Sequence, residues 1–275
     1  ENRSLRARLG GEQKKRSLRG SNLLSISLQP SNMPTYLTVS SELEAERLGV
    51  LCATFPQLSV DTCRRFLRAR KWDVHKAQSM LQADVEWRAE KRPNDIMQAD
   101  LLHSLPAGAW RAVGVHQTAD EALPVLWIQL SLWRPNEYDV HEYEKLVCYF
   151  MEHLSKQGPG FIVLFDMSGW KISFSLQVAK LKVLVGTLQN HYPERLRAAL
   201  IIHTPGFFQA TWRMMKPWLD PHTVEKVHFI NGKGDSVTNL LTPYLGQEVL
   251  PQCYGGCAKA DLCPGIPTED NIILA

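Results

Sequence analysis

From about residue 41 onward the chain uses two hydrophobic periods, and the change from one to the other divides it. Residues 41–87 place apolar positions at helical spacing, opened by Ser41-Glu42-Leu43-Glu44, which reads as a capping box. Breaks are expected near Pro56 and Pro93, because proline lacks the amide that a helix interior needs. From about Ala112, apolar runs of strand length alternate with longer helical stretches. Strands are expected over 112–115, 125–130, 162–165, 199–203 and 227–230, and helices over 140–155 and 174–190. In the second helix Phe174, Val178, Leu181, Val185 and Leu188 keep i, i+4, i+7, i+11, i+14 spacing. This alternation predicts an α/β domain with a mostly parallel sheet, preceded by a helical part.

One segment departs from the ordinary amphipathic pattern. Counting from Phe207, the polar residues Gln209, Arg213, Lys216 and Asp220 fall on one narrow stripe at helical spacing. The other faces carry Phe207, Phe208, Trp212, Met214, Met215, Trp218 and Leu219. A surface helix needs only one apolar face. This segment is therefore either sandwiched within a core or turned toward something apolar that is not protein. Asp220-Pro221 then reads as an N-cap with proline at the first helical position, starting a new short helix. Thr223 and Lys226 share a face of it, at i and i+3. A cation and a hydroxyl beside a Phe-, Trp- and Met-rich segment suit an amphiphile with a phosphate.

Four segments, in order, carry a family resemblance. The stretch from Tyr192-Pro193-Glu194-Arg195 through Lys216-Pro217-Trp218-Leu219-Asp220-Pro221 to Phe229-Ile230-Asn231 resembles the lipid-binding domain of the CRAL-TRIO family. Arg65-Phe66-Leu67-Arg68-Ala69-Arg70-Lys71-Trp72-Asp73-Val74, continued by Ala77, Met80, Leu81, Trp87 and Arg88, resembles its N-terminal helical signature. Phe165-Asp166-Met167-Ser168-Gly169 is similar to the strand end before its central helix, and Leu250-Pro251-Gln252-Cys253-Tyr254-Gly255-Gly256 to its closing motif. Together they span roughly residues 40–257. The resemblance implies an apolar pocket floored by the sheet and covered by 207–219 as a gate helix, with Phe207, Phe208, Trp212, Met215, Trp218 and Leu219 facing pocket or membrane. It points to the branch of yeast-type phosphatidylinositol transfer proteins. Thr223 and Lys226 match that branch's phosphate-holding pair, and Glu194 and Arg70 match a Glu and an Arg of the same headgroup site. Arg70 and Glu194 could also form a structural pair.

The match departs where choline-lipid-binding members carry hydroxyls. Phe161 and Val163 stand at the two hydroxyl positions of the strand leading to Asp166, and Val115 and Leu126 at tyrosine positions. Phosphatidylcholine is therefore not an expected ligand. Phosphatidylinositol alone, or a more apolar second lipid such as a sterol, fits better.

Charge and composition refine this picture. The first 19 residues hold seven Lys/Arg against Glu1 and Glu12, a net +5, which leaves −2 for the rest of a chain whose total is +3. Residues 1–39 are expected to be a disordered basic tail and linker, able to lean on anionic lipid. A CRAL-TRIO helical subdomain is expected over 40–100, the lipid-binding domain over 101–260 and a C-terminal tail over 261–275. The folded body is not basic and carries no recognition motif, so nucleic acid is not an expected partner. The six cysteines lack zinc-ligand spacing and are read as free thiols in a reducing compartment, with no metal or cofactor beyond a bound lipid. No enzyme motif is present, and Asn231-Gly232-Lys233-Gly234-Asp235 reads as a turn. His203 and His228 are read as strand residues satisfied in the core. The expected protein is a monomeric, cytoplasmic, transiently membrane-bound lipid carrier. The alternative is a regulatory module that binds a membrane or a small GTPase without moving lipid.

Overall fold

Three helices open the described chain: α1 (Glu42–Thr54), α2 (Val60–Ala69) and α3 (Val74–Lys91). The computed structural model describes residues 41–101, 109–133, 137–175, 177–232 and 235–258. The expected tails at 1–39 and 261–275, and Lys233-Gly234 of the expected turn, lie outside the described residues. Ser41, Ser59 and Asp73 cap the three helices, each accepting the amide three residues on. The break at Pro56 is present, but a second break at Arg70–Asp73 was not expected. There Lys71 and Trp72 take the left-handed conformation, with φ of 52° and 63°. Both amides stay bonded, to the carbonyls of Arg68 and Leu67, and Asp73 caps the next helix. Capping and the seating of the Trp72 ring on the helical core outweigh the cost of two strained residues. The corner gathers Arg68, Arg70 and Lys71 at one place.

All five expected strands form: β1 (Trp110–Gln117), β2 (Ala122–Gln129), β3 (Phe161–Asp166), β4 (Leu196–Ile202) and β5 (Val227–Ile230). Both ends of β1, β2, β3 and β4 differ from expectation, and at two of them an expected strand residue falls outside its strand. Leu130 leaves β2 to open a 3-10 turn, and His203 leaves β4 with φ 53°. The single helix expected over 174–190 is two, α5 (Ile172–Ser175) and α6 (Val178–His191), and α4 spans Val140–Gln157.

The strands lie in the order β1-β2-β3-β4-β5, with β1 antiparallel to β2 and the rest parallel. A parallel sheet wound in one direction by right-handed crossovers puts every connecting helix on the same face. Accordingly α4, α6 and α7 (Phe208–Met215) all pack on one face of the sheet. The chain after β5, including α9 (Asp235–Leu241) and residues to Ala258, covers the other. Both faces of β3 are thus buried, which is why Phe161-Ile162-Val163-Leu164-Phe165 is an unbroken apolar run. Ile162 and Leu164 pack on the closing segment, whereas Phe161, Val163 and Phe165 face the helices.

The helical part docks through α3. The Trp87 ring stacks on His191 at 3.8 Å, and Arg88 bridges Asp84 (3.0 Å) and Glu152 (2.8 Å). Asp84 also meets His191 at 2.8 Å, and the Tyr192 hydroxyl donates to Glu152. These contacts hold α3 against the end of α6.

Candidate functional site

Between the helix-covered sheet face and α6 and α7 lies a cavity of about 840 Å³. Its floor is Leu126 and Ile128 of β2, Phe161, Val163 and Phe165 of β3, and Ala199 and Ile201 of β4. One wall is α6, whose Leu181, Leu184, Val185 and Leu188 are only half-buried because they face this space. Trp110, Leu130, Trp133, Met167 and Trp170 close one region with apolar and aromatic surface. Trp170 meets Phe208 edge-to-face at 5.2 Å and stacks near-parallel on Trp133 at 6.0 Å.

The segment over the cavity is shorter as an α-helix than the sequence implied. It is α-helical from Phe208 to Met215, continues as a 3-10 turn over Lys216–Trp218, and is extended at Leu219. Pro217 is the cause, since its ring cannot sit in an α-helical interior without striking the carbonyl four residues back. Gln209, Arg213, Lys216 and Asp220 are exposed, as the polar stripe required. Phe208, Trp212, Met215 and Leu219 line the cavity. Phe207 and Trp218 belong to the same segment but not to the lining: Phe207 is 44% exposed and Trp218 half-buried.

The charged and polar lining residues come from three chain segments only, 68–71, 189–194 and 220–226. They include all four residues the resemblance assigned to a headgroup: Arg70, Glu194, Thr223 and Lys226. The short helix α8 (Pro221–Glu225) forms as expected, with Asp220 as its cap and Lys226 just past its end. Asp220 accepts the Thr223 amide at 2.9 Å and the Thr223 hydroxyl proton as well. Lys226 is buried, and its Nζ lies 3.5 Å from Glu194 Oε2. Burial pushes the Lys226 amine below its usual range; Glu194 opposes this, while the charge of Arg197 adds to it.

No ion pair joins Arg70 to Glu194 among the described residues. Arg70 donates instead to the carbonyl of Ala69 at 3.2 Å, and Glu194 is flanked by Lys226 and by His222, whose Nε2 is 3.7 Å away. Sequence reading did not find His222, Arg68, Lys71 or Gln189, which line the same polar end. Nor did it find Arg197, a buried β4 residue that donates to the Glu194 carbonyl at 2.8 Å. A charge within Leu196-Arg197-Ala198-Ala199-Leu200 was the available signal, because a buried guanidinium demands a partner.

Of the four positions singled out for missing hydroxyls, Phe161, Val163 and Leu126 are in the lining, but Val115 is not. Val113 is bulged out of the β1–β2 register, so Val115 pairs with Pro124, nearer the start of β2 than Leu126. His203, expected to be a strand residue satisfied in the core, instead sits just beyond β4 with its side chain 31% exposed. Its Nδ1 lies 2.9 Å from Asp166 Oδ1 and 3.1 Å from the Ser168 hydroxyl. The same ring nitrogen serves both, so the ring cannot relay a proton from Ser168 to Asp166 as a hydrolase triad would. Asp166 also accepts the Tyr254 hydroxyl, which ties the closing motif to the end of β3. Gly169, at φ 80°, brings this turn so close to Ser131 that a Cβ would lie 2.7 Å from its Cα.

Known proteins resemble this chain in sequence and in fold. The CRAL/TRIO domain model matches residues 111–256, and the CRAL/TRIO N-terminal domain model matches residues 53–83. The SEC14 cytosolic factor of Candida glabrata is 31% identical over 245 residues, covering 82% of this chain and 78% of its own. The phosphatidylinositol transfer protein CSR1 of Eremothecium gossypii is 28% identical over 208 residues, or 70% of this chain, and this chain spans 46% of it. The crystal structure of Sfh5 shares the fold, with a TM-score of 0.62 at 16% identity, over 86% of this chain and 97% of that one. With one domain model covering more than half its length and a relative aligned over most of both chains, this protein belongs to the CRAL/TRIO family.

Proposed function

We propose that the protein binds a phospholipid, phosphatidylinositol first among candidates, and carries it between membranes with α7 as the lid of the cavity. The observation that carries this reading is the separation of chemistry within one cavity. Every charged lining residue lies in 68–71 or 189–226, while the lining contributed by β2, β3 and α4 is apolar. That division matches an amphiphile with a polar head and long chains. Moving such a lipid through water exposes its chains at about 0.8 kcal/mol per methylene, well over 20 kcal/mol for two of them. A cavity lined by Leu, Val, Phe and Met removes most of that cost and makes exchange with a bilayer nearly balanced.

At the polar end the roles follow from the donor inventory. Lys226, Arg70 and the Thr223 hydroxyl offer donors to a phosphate; the Glu194 carboxylate can only accept and so suits ring hydroxyls. The relative CSR1, a phosphatidylinositol transfer protein by name, supports the same reading. Opening α7 at a membrane exposes Trp212 and Met215, which the interfacial zone can accommodate. No helix among the described residues is long and apolar enough to cross a membrane. The function needs no chemistry on the lipid and no partner beyond lipid and bilayer.

Native mass spectrometry of the purified protein tests the proposal. A co-purifying glycerophospholipid of inositol mass is expected. Protein that stays empty after incubation with phosphatidylinositol vesicles, yet captures a small GTPase, would make it a regulatory module instead.

A further inference from the structure

Glu194 is held in a conformation that its own residue type resists. Its φ is 58°, in the left-handed region, where a side chain crowds the backbone. The turn that contains it is clamped by arginines from three directions. Arg65 donates to the Pro193 carbonyl at 3.3 Å, and Arg195 reaches back to the carbonyls of Gly158 and Pro159. Arg197 donates Nη1 to the Glu194 carbonyl itself at 2.8 Å.

Arg197 is in turn fixed by a residue remote in sequence. Its Nε and Nη2 donate to the two oxygens of Glu121 at 2.8 and 2.9 Å, a bidentate pair whose side chains are only 3% and 8% exposed. Glu121 sits at the turn between β1 and β2, where Thr118 bonds both its amide and its carbonyl at 2.9 Å. Space for the guanidinium is left by Gly160, whose missing Cβ would stand 2.7 Å from the Arg197 Cζ. The hairpin turn thus reaches, through one buried ion pair, the backbone of a residue in the cavity wall.

We propose that Arg197 and Glu121 are positioning residues for the polar end of the cavity: their buried pair sets the Glu194 backbone so that its carboxylate meets Lys226. The inference rests on the headgroup reading of Glu194 and Lys226 and adds what holds them in register. With the Glu121 charge removed, Arg197 loses the bidentate carboxylate that fixes its guanidinium, and the Nη1 bond to the Glu194 carbonyl loses its anchor. The contact of Glu194 with Lys226 then loosens although neither residue of that pair has been altered.

The test compares full-length Glu121→Gln, Arg197→Lys and Glu194→Gln with the parent protein. In ligand-free protein, NMR of labelled lysine side chains follows the Lys226 titration. Glu121→Gln is expected to move it downward, in the same direction as Glu194→Gln, and an unmoved titration would overturn the proposal. Loading is then read from vesicles carrying phosphatidylinositol and from vesicles carrying diacylglycerol, which has the chains without the phosphate. Glu121→Gln should weaken phosphatidylinositol loading about tenfold and leave diacylglycerol within about twofold. In a Glu194→Gln background it should add nothing further. Equal losses for both lipids, or full additivity with Glu194→Gln, would make the pair merely structural and sink the inference. If Glu121→Gln fails to fold, Arg197→Lys, which keeps the charge but loses the fork, is read in its place. A parent protein that takes up diacylglycerol but not phosphatidylinositol would refute the headgroup reading alone, and the lysine titration would still decide the positioning role.

Discussion

Lys226 and Glu194 neutralise one another at the polar end of the cavity, Nζ to Oε2 at 3.5 Å, with side chains 7% and 15% exposed. Thr223 is similarly engaged, its hydroxyl proton given to Asp220. Two of the three donors proposed for a phosphate, Lys226 and Thr223, are therefore already paired with carboxylates. An incoming phosphate must take Lys226 and Thr223 from them, and a headgroup with hydroxyls can compensate Glu194 in the same event. This exchange of partners favours a polyol phosphate over a bare one.

Lys226→Ala is expected to weaken phosphatidylinositol loading at least about tenfold, because a charge-assisted phosphate contact contributes about 1.5–3 kcal/mol. The fold should survive, since the amine is already held below its usual range by burial and its loss relieves that cost. Thr223→Val should show a smaller loss, its hydroxyl being shared with Asp220. Unchanged loading of the Lys226 variant in a vesicle assay would remove the residue from the headgroup site.

Phosphatidylcholine should not be transferred at a rate comparable to phosphatidylinositol. The floor offers Phe161, Val163 and Leu126, none with a hydroxyl to meet a second phosphate. Two or three unmade hydrogen bonds at about 1–3 kcal/mol each would cost at least about one and a half orders of magnitude in affinity. Labelled forms of the two lipids, followed side by side, check this; similar rates would mean that residues elsewhere in the cavity hold the choline lipid.

Phe207→Glu should separate membrane contact from binding. The ring is 44% exposed and outside the cavity lining, so stability and lipid already bound should be little affected. Transfer from vesicles is expected to slow about tenfold, given the loss of an apolar residue at the membrane and its replacement by a charge. Wild-type transfer by this variant would place the membrane-facing surface elsewhere.

Asp166 should shape the acid limb of stability. Burial pushes its carboxyl up, but hydrogen bonds from Tyr254, Ser168 and His203 outweigh this and leave it below the usual carboxylate range. A carboxyl depressed in the folded state contributes stability that is present above its unfolded pKa of about 3.9 and is lost as pH falls through the lower folded value. Asp166→Asn should therefore cost about 2–3 kcal/mol at pH 7 and lose less than the parent between about pH 4 and pH 2. Urea unfolding at the two ends of that range measures it, and parallel losses in parent and variant would refute the assignment. Tyr254→Phe should reproduce part of the neutral-pH cost.

Much of the frame was legible in the chain because it depends on local periodicity. Phe161 to Phe165 is apolar throughout because β3 is covered on both faces, and Asp220-Pro221 starts α8 because a cap and a preset φ act within one turn. Boundaries were less legible where tertiary contacts decided them. His203 leaves β4 to meet Asp166, and the chain turns at Lys71 and Trp72 with Trp72 seated on the helical core.

For the candidate site, the sequence by itself determined which residues were candidates: a greasy segment with one polar stripe, a Thr–Lys pair behind a proline cap, and a Glu and an Arg in motifs that resemble a known family. Tertiary structure decided their relations. It gave Glu194 to Lys226 rather than to Arg70, turned Phe208, Trp212 and Met215 inward while leaving Phe207 at the surface, and joined Arg197 to Glu121 across 76 positions. The reason is physical. Periodicity, caps and prolines act over a few residues and can be read along the chain, whereas the partner of a buried charge is chosen by which strands lie side by side.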